Sequence, residues 1–232
     1  MRKLLALAIA VAITAAGCGV PLNSDAEDHE PRYGAIVDLP DPVETGVSVE
    51  DAIRGRDSFR QFTGDPLSQE KLARILWAAA AEDLDGVTGA TRPFSSAGAT
   101  YATVIYVAVG NVEDLPEGVY QYLPGDHQLR QVRLVDVRED LARAALNQIM
   151  ISHAPVSLLV TADYMRTVSR YSDRGHRYVH IEAGAVMQNV ELQAEALGLG
   201  ATVVGAFDDD RIKEILETDH DPLLIIPIGH RP

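Results

Sequence analysis

The sequence predicts one folded domain of the α+β or α/β class, with helices and strands interleaved around a mixed sheet. Three observations carry that expectation. Residues 155–162 form a continuous apolar run, the pattern of a strand buried on both faces. Residues 118–123 and 127–132, joined by Pro124-Gly125-Asp126, read as a hairpin. Residues 178–197 place apolar side chains on two separate flanks of a helical wheel. One flank carries Ile181, Ala185, Leu192 and Ala196; the other carries Val179, Ala183, Val190, Ala194 and Leu197. Between them run two polar seams, Glu182/Asn189/Gln193 and Gln188/Glu191/Glu195. A surface helix would show one apolar stripe. This helix is therefore expected to be enclosed on both sides, either as an ordinary core helix within its own domain or between that domain and a second protomer.

In chain order, the first seventeen residues read as a targeting segment. Arg2-Lys3 form a basic start, residues 4–16 an apolar run, and Ala15-Ala16-Gly17 a small-residue cleavage site. Cys18 follows, the only cysteine in the chain, so the segment resembles a bacterial lipobox in which that cysteine is acylated. The apolar run is too short to span a bilayer comfortably. The expectation is a cell-envelope protein, lipid-anchored outside the cytoplasm; a plain secretory signal with a chance cysteine is the alternative. Residues 18–47 are rich in Pro, Asp, Glu and Gly and read as a flexible tether, although 33–39 could dock on the domain. The domain is placed at 48–232.

Ser48 is a good N-cap for a helix ending at Gly55, with Glu50 and Asp51 in its first turn. Arg56-Asp57-Ser58-Phe59-Arg60 follows. In an extended segment Arg56, Ser58 and Arg60 share one side, where two guanidiniums and a hydroxyl suit a phosphate; a solvated basic strand edge is the alternative these residues alone leave open. Ser68 caps a second helix through the alanines at 78–81, and a loop at 83–91 leads to Arg92-Pro93-Phe94-Ser95-Ser96-Ala97-Gly98. Residues 103–109 read as a strand and 141–151 as a helix. Residues 164–177 hold four arginines and two tyrosines. After the long helix come a strand at 203–207, a helix capped by Asp208, and a last strand at 223–228.

Composition narrows the function. At 232 residues and 47% hydrophobic content the chain can bury one core, two at most. Its net charge of −14 speaks against nucleic acid or an anionic membrane surface as a partner, so membrane contact is expected through the lipid alone. The seven histidines are scattered, and no CxxC or HExxH grouping marks a metal site. P-loop, Rossmann and GxSxG signatures are missing, and Gly198-Leu199-Gly200 leads into a strand rather than a helix.

Several ordered motifs nonetheless resemble one family. Arg56-Asp57-Ser58-Phe59-Arg60-Gln61-Phe62 resembles the opening segment of flavin-dependent nitroreductase domains. Residues 92–101 resemble the R-P-x-P-S-A-G-A-x-Y stretch of the SagB/ThcOx-type dehydrogenase branch, with Ser95 in place of proline. Gly118-Val119-Tyr120-Gln121-Tyr122 matches that branch's hairpin. Arg174-Gly175-His176-Arg177-Tyr178, Glu182-Ala183-Gly184, Gln188-Asn189 and Leu197-Gly198-Leu199-Gly200 match its helix signature.

The resemblance implies an α+β, nitroreductase-like fold with a mixed, mainly antiparallel sheet and the long helix at a homodimer interface. FMN would lie between protomers. Arg56, Asp57, Ser58, Arg60 and Arg231 would hold its phosphate and ribityl end; Ser95, Ser96, Ala97 and Gly98 would reach it from the partner protomer. Gly205 and Ala206 would set backbone N–H groups beside the reactive ring nitrogen, and Asn147 would meet the pyrimidine edge. Tyr171 is the candidate catalytic residue. Azoline-oxidising members carry a Lys-Tyr pair where this chain has Arg170-Tyr171, and arginine cannot act as a base near neutral pH.

The expected activity is an FMN-dependent oxidoreductase working by ping-pong electron transfer with a small organic substrate. Free NAD(P)H is not expected outside the cytoplasmic membrane, so the electron donor is open. The alternative is a degenerate fold that binds flavin or another ligand without turnover.

Overall fold

The computed structural model describes residues 34–42, 44–82 and 92–232. The targeting segment, Cys18, most of the tether and the loop at 83–91 lie outside the described residues.

Seven strands form one sheet in the order β1-β4-β3-β2-β5-β7-β6. They are β1 (Ile36–Asp38), β2 (Thr103–Val109), β3 (Gly118–Leu123), β4 (Gln128–Arg133), β5 (Val156–Ala162), β6 (Leu199–Ala201) and β7 (Asp221–His230). All six strand pairings are antiparallel; among the described residues, parallel pairing is confined to the isolated bridges Ser58–Ala201 and Leu67–Val112. β5 sits between β2 and β7 and is buried along its whole length, as a two-sided apolar run requires. Alternate residues of β2 enter opposite cores: Ile105, Val107 and Val109 one, Val104, Tyr106 and Ala108 the other.

Helices cover both faces. They are α1 (Val49–Gly55), α2 (Gln69–Ala80), α3 (Arg138–Ala144), α4 (Met150–His153), α5 (Met165–Tyr171), α6 (Arg174–Ala196) and α7 (Asp209–Leu216). α2 and α6 pack on one face through Leu72, Leu76, Val186 and Val190; α3 and α7 pack on the other through Leu141, Ile212 and Ile215. Three of the helix starts follow from their caps. Ser48 Oγ accepts from Asp51 N at 3.1 Å, Ser68 Oγ from Lys71 N at 3.4 Å, and Asp208 Oδ1 from Arg211 N at 3.0 Å.

α6 buries the Val179, Ala183, Val190 and Ala194 flank against its own sheet. The other flank is open: Ile181 is 60% exposed, and Ala185, Leu192 and Ala196 are half-buried. In the seam between, Glu182 is buried and its Oε1 accepts from Thr103 N at 2.8 Å and Thr103 Oγ1 at 2.9 Å, fastening the helix to the start of β2.

Three expectations are corrected. α6 begins at Arg174, a turn earlier than the apolar pattern indicated, because the arginine-rich opening turn carries no apolar signal of its own. The helix expected at 141–151 is two pieces: Leu146 and Asn147 take φ 57° and 58°, a left-handed turn that breaks the ladder between α3 and α4. The strand expected at 203–207 lies instead at β6, with only Val204 bridged to Ile225 beyond it. Pro227 stands opposite Thr202 and has no N–H to return, which interrupts the ladder between them. The docking allowed for residues 33–39 is present: β1 adds to the edge of β4, with Ile36 opposite Arg130, and Gln128 Nε2 donates to Asp38 Oδ1 at 2.8 Å.

Candidate functional site

The predicted site residues fall into three groups. The first lies at the β6 edge. The segment after α1 runs beside β6: Ser58 bridges Ala201, and Phe59 N donates to Ala201 O at 2.8 Å. Gly200 permits this approach, since a Cβ there would stand 2.8 Å from the Phe59 Cβ. On its other side β6 pairs with the end of β7, Leu199 opposite His230, which delivers Arg231 to the same place. The Arg231 guanidinium lies 4.1 Å from the Phe59 ring centre. Arg56, Ser58 and Arg231, remote in sequence, are thus brought together.

Two glutamates that the sequence reading left as a polar seam complete this group. Glu195 pairs with Arg231 Nη2, and Glu191 stands 3.6 Å from Arg56 Nη1. One helical turn separates them on α6, so both face the same segment. Arg231 is also turned inward, giving Nε and Nη2 to Leu199 O at 3.0 and 2.7 Å. Its Nη1 forms no hydrogen bond among the described residues. Arg60 is exposed and forms no ion pair among the described residues. Asp57 Oδ1 accepts from Ser58 N at 2.7 Å, so this carboxylate shapes the segment. An anion meeting Arg56 and Arg231 would find two guanidiniums held by Glu191 and Glu195, with exposed Arg60 close by in sequence as a third cation, the chemistry a phosphate needs.

Burial drives the Glu191 carboxyl above the usual glutamate range, with Arg56 pulling weakly the other way. The folded-state pKa exceeds the unfolded one, so ionised Glu191 opposes folding at high pH and the penalty fades as pH falls through the folded value. Glu191→Gln is expected to match or exceed the parent in stability at neutral pH, the difference shrinking toward pH 4.5. Urea unfolding across that range checks it; a difference that grows as pH falls would contradict it.

The second group is the loop before β2. Ser95 is exposed; Ser96 Oγ accepts from Tyr101 N at 2.9 Å and braces the turn at Ala97–Ala99. Gly98 takes φ 60°, and its carbonyl accepts from Arg170 Nη1 at 2.9 Å. The Tyr171 hydroxyl and the Arg170 guanidinium occupy the space where a Cβ would stand at Gly98. Arg170 and Tyr171 therefore belong to this loop. Asn189 supports it from α6, donating Nδ2 to Pro93 O at 2.9 Å.

The third group joins the α3–α4 turn to residues 205–206. Gln148 Nε2 donates to Ala145 O at 2.9 Å and to Ala206 O at 3.2 Å, setting exposed Asn147 and exposed Gly205-Ala206 as neighbouring features. Nothing lies within 4 Å of a Cβ placed on Gly205. The backbone there is free to meet a flat ring. Gln148 was missed because the bond that ties it to Ala206 reaches across 58 residues of sequence. No hydrogen bond or ion pair among the described residues joins the loop at 95–98 to either of the other groups.

The described residues hold no cluster of three or more His, Cys, Asp or Glu side chains that could bind a metal, and no helix long and apolar enough to cross a membrane.

The model of the Nitroreductase family matches residues 53–230. A protein of Methanocaldococcus jannaschii named as a nitroreductase is 44% identical over 197 residues, covering 84% of this chain and 96% of its own. The trifolitoxin operon protein TfxC of Rhizobium leguminosarum bv. trifolii is 27% identical over 194 residues, which cover 77% of this chain and 54% of TfxC. A crystal structure from Ralstonia eutropha JMP134, also named as a nitroreductase, superposes with a TM-score of 0.73 at 27% identity, covering 87% of this chain and 94% of that one.

Proposed function

Because the chain belongs to the nitroreductase family, we propose that it is an FMN-dependent oxidoreductase acting on a small organic substrate by ping-pong electron transfer. The observation that carries this reading is the convergence of Arg56, Ser58 and Arg231 at the β6 edge, followed along the chain by the open backbone at Gly205-Ala206. Arg56, Arg60 and Arg231 Nη1 would bind the phosphate. Asn147 would meet the pyrimidine edge, and the N–H groups of Gly205 and Ala206 would face the ring nitrogen. FMN bound there would supply reversible hydride and electron transfer.

The missing wall is proposed to come from a second copy. Among the described residues loop 95–98 makes no bond to the other two groups, and the Ile181 flank of α6 lies open. Both fit a homodimer in which each loop covers the other chain's flavin. Arg170 donates to Gly98 O, and arginine cannot serve as the base that azoline oxidation would require. We therefore place the reaction outside that chemistry. The basic start, apolar run and Cys18 support a lipid-anchored protein of the cell envelope, with a donor other than free NAD(P)H.

The test is the absorbance spectrum of the purified protein and its titration with FMN. A yellow protein whose bound flavin is reduced photochemically and reoxidised by an organic acceptor is the expected result. Failure to take up FMN would overturn the reading. Bound flavin that resists reduction would favour a binding protein without turnover.

A further inference from the structure

In a chain with 34 acidic and 20 basic residues, four arginines within twelve positions need a physical account. Arg166 is occupied by Asp163, at 3.2 Å, and by Tyr101 O. Arg170 is occupied by Gly98 O. Arg174 and Arg177 are exposed and form no ion pair among the described residues. They line a groove of about 510 Å³ together with Tyr171, Ser172 and Asp173, a volume in the range that admits a small organic ligand. Asp173 is the one carboxylate in its wall, so the two free guanidiniums leave an excess positive charge.

The groove is built on a fixed corner. α5 ends at Tyr171, and α6 starts at Arg174. A Cβ at Gly175 would stand 2.8 Å from Val168 Cα and 2.9 Å from Val168 N, so the two helices meet backbone to backbone there. With Gly175 turned into α5, Arg174 and Arg177 on either side of it line the groove. Tyr171 forms one wall, edge-on to Tyr178 at 5.1 Å, and its hydroxyl reaches Gly98 in the loop assigned to the flavin.

We propose that Arg174 and Arg177 form a subsite for a carboxylate on the organic substrate, with Tyr171 as the apolar wall between that subsite and the flavin. This rests on the flavin reading above. Guanidinium forks suit carboxylates through paired, charge-assisted bonds, and a single flat anion can meet both. The preferred substrate is then an aromatic or unsaturated carboxylic acid, and neutral analogues of the same shape are poorer.

Two isosteric probes test this on the full, FMN-loaded protein: 4-nitrobenzoate and neutral 4-nitrobenzyl alcohol. Calorimetry is expected to show the benzoate bound about tenfold more tightly than the alcohol. Arg174→Gln/Arg177→Gln is expected to bring that ratio close to one, and the lysine pair to restore part of it. Reoxidation of the photoreduced protein by the two compounds should follow the same ratio. An unchanged ratio in the glutamine pair, or no preference in the parent, overturns the subsite. Absence of bound FMN would instead overturn the flavin reading, and the calorimetric ratio measured on the flavin-free protein still decides the subsite.

Discussion

Arg56→Ala is expected to weaken FMN binding roughly tenfold to a hundredfold, the loss of one charge-assisted contact to phosphate. Riboflavin, which has the same ring and no phosphate, should lose little. The substitution also strips buried Glu191 of its nearest cation, which adds a negative potential beside the incoming phosphate. Arg56→Lys should recover part of the affinity, because it restores the charge without the fork. Fluorescence titration of both flavins at one salt concentration is the measurement. Equal losses for FMN and riboflavin would mean that Arg56 does not meet the phosphate.

Gly175→Val should cost about 3 kcal/mol, which for a domain of this size lowers the melting temperature by roughly 6–12 °C. The atoms in the way are Val168 Cα at 2.8 Å, Val168 N at 2.9 Å and Thr167 C at 3.1 Å, all backbone. A flexible side chain could swing aside; a helix backbone moves only with its whole turn. The displaced corner would also carry Tyr171 away from Gly98. An unchanged thermal transition would show that α5 and α6 do not meet as closely as described.

Features set by neighbouring residues were legible in the sequence. Ser48, Ser68 and Asp208 cap their helices through bonds three residues away, and the hairpin at Pro124-Gly125-Asp126 closes locally. What was hidden depends on distant atoms. The displaced strand at 199–201 exists because His230, Gly229 and Ile228 lie opposite it, and Pro227 stops it there. The docking of Ile36–Asp38 needs the free edge of β4. The left-handed turn at Leu146-Asn147 is compatible with the sequence, but apolar periodicity does not demand it.

The site divides in the same way. Arg56, Ser58 and Arg60 could be nominated from their alternation, and the family resemblance nominated Gly98, Gly205 and Arg231. The glutamates that hold two of the arginines were visible only as a seam at i and i+4 on a helix. Nothing local says that Glu195 meets Arg231 or that Glu191 faces Arg56.

The bridge from Ser58 to Ala201 has a consequence in time. A chain made or exported from its N-terminus presents the Arg56 segment long before β6 and β7 exist to receive it. Contacts this distant in sequence are closed late and slowly. The proposed anion-binding cluster is therefore one of the last parts of the molecule to form, and on that reading no earlier fragment would retain FMN through it. If the chain crosses a membrane unfolded, flavin loading must follow crossing, and the compartment in which the domain completes its sheet must itself contain FMN.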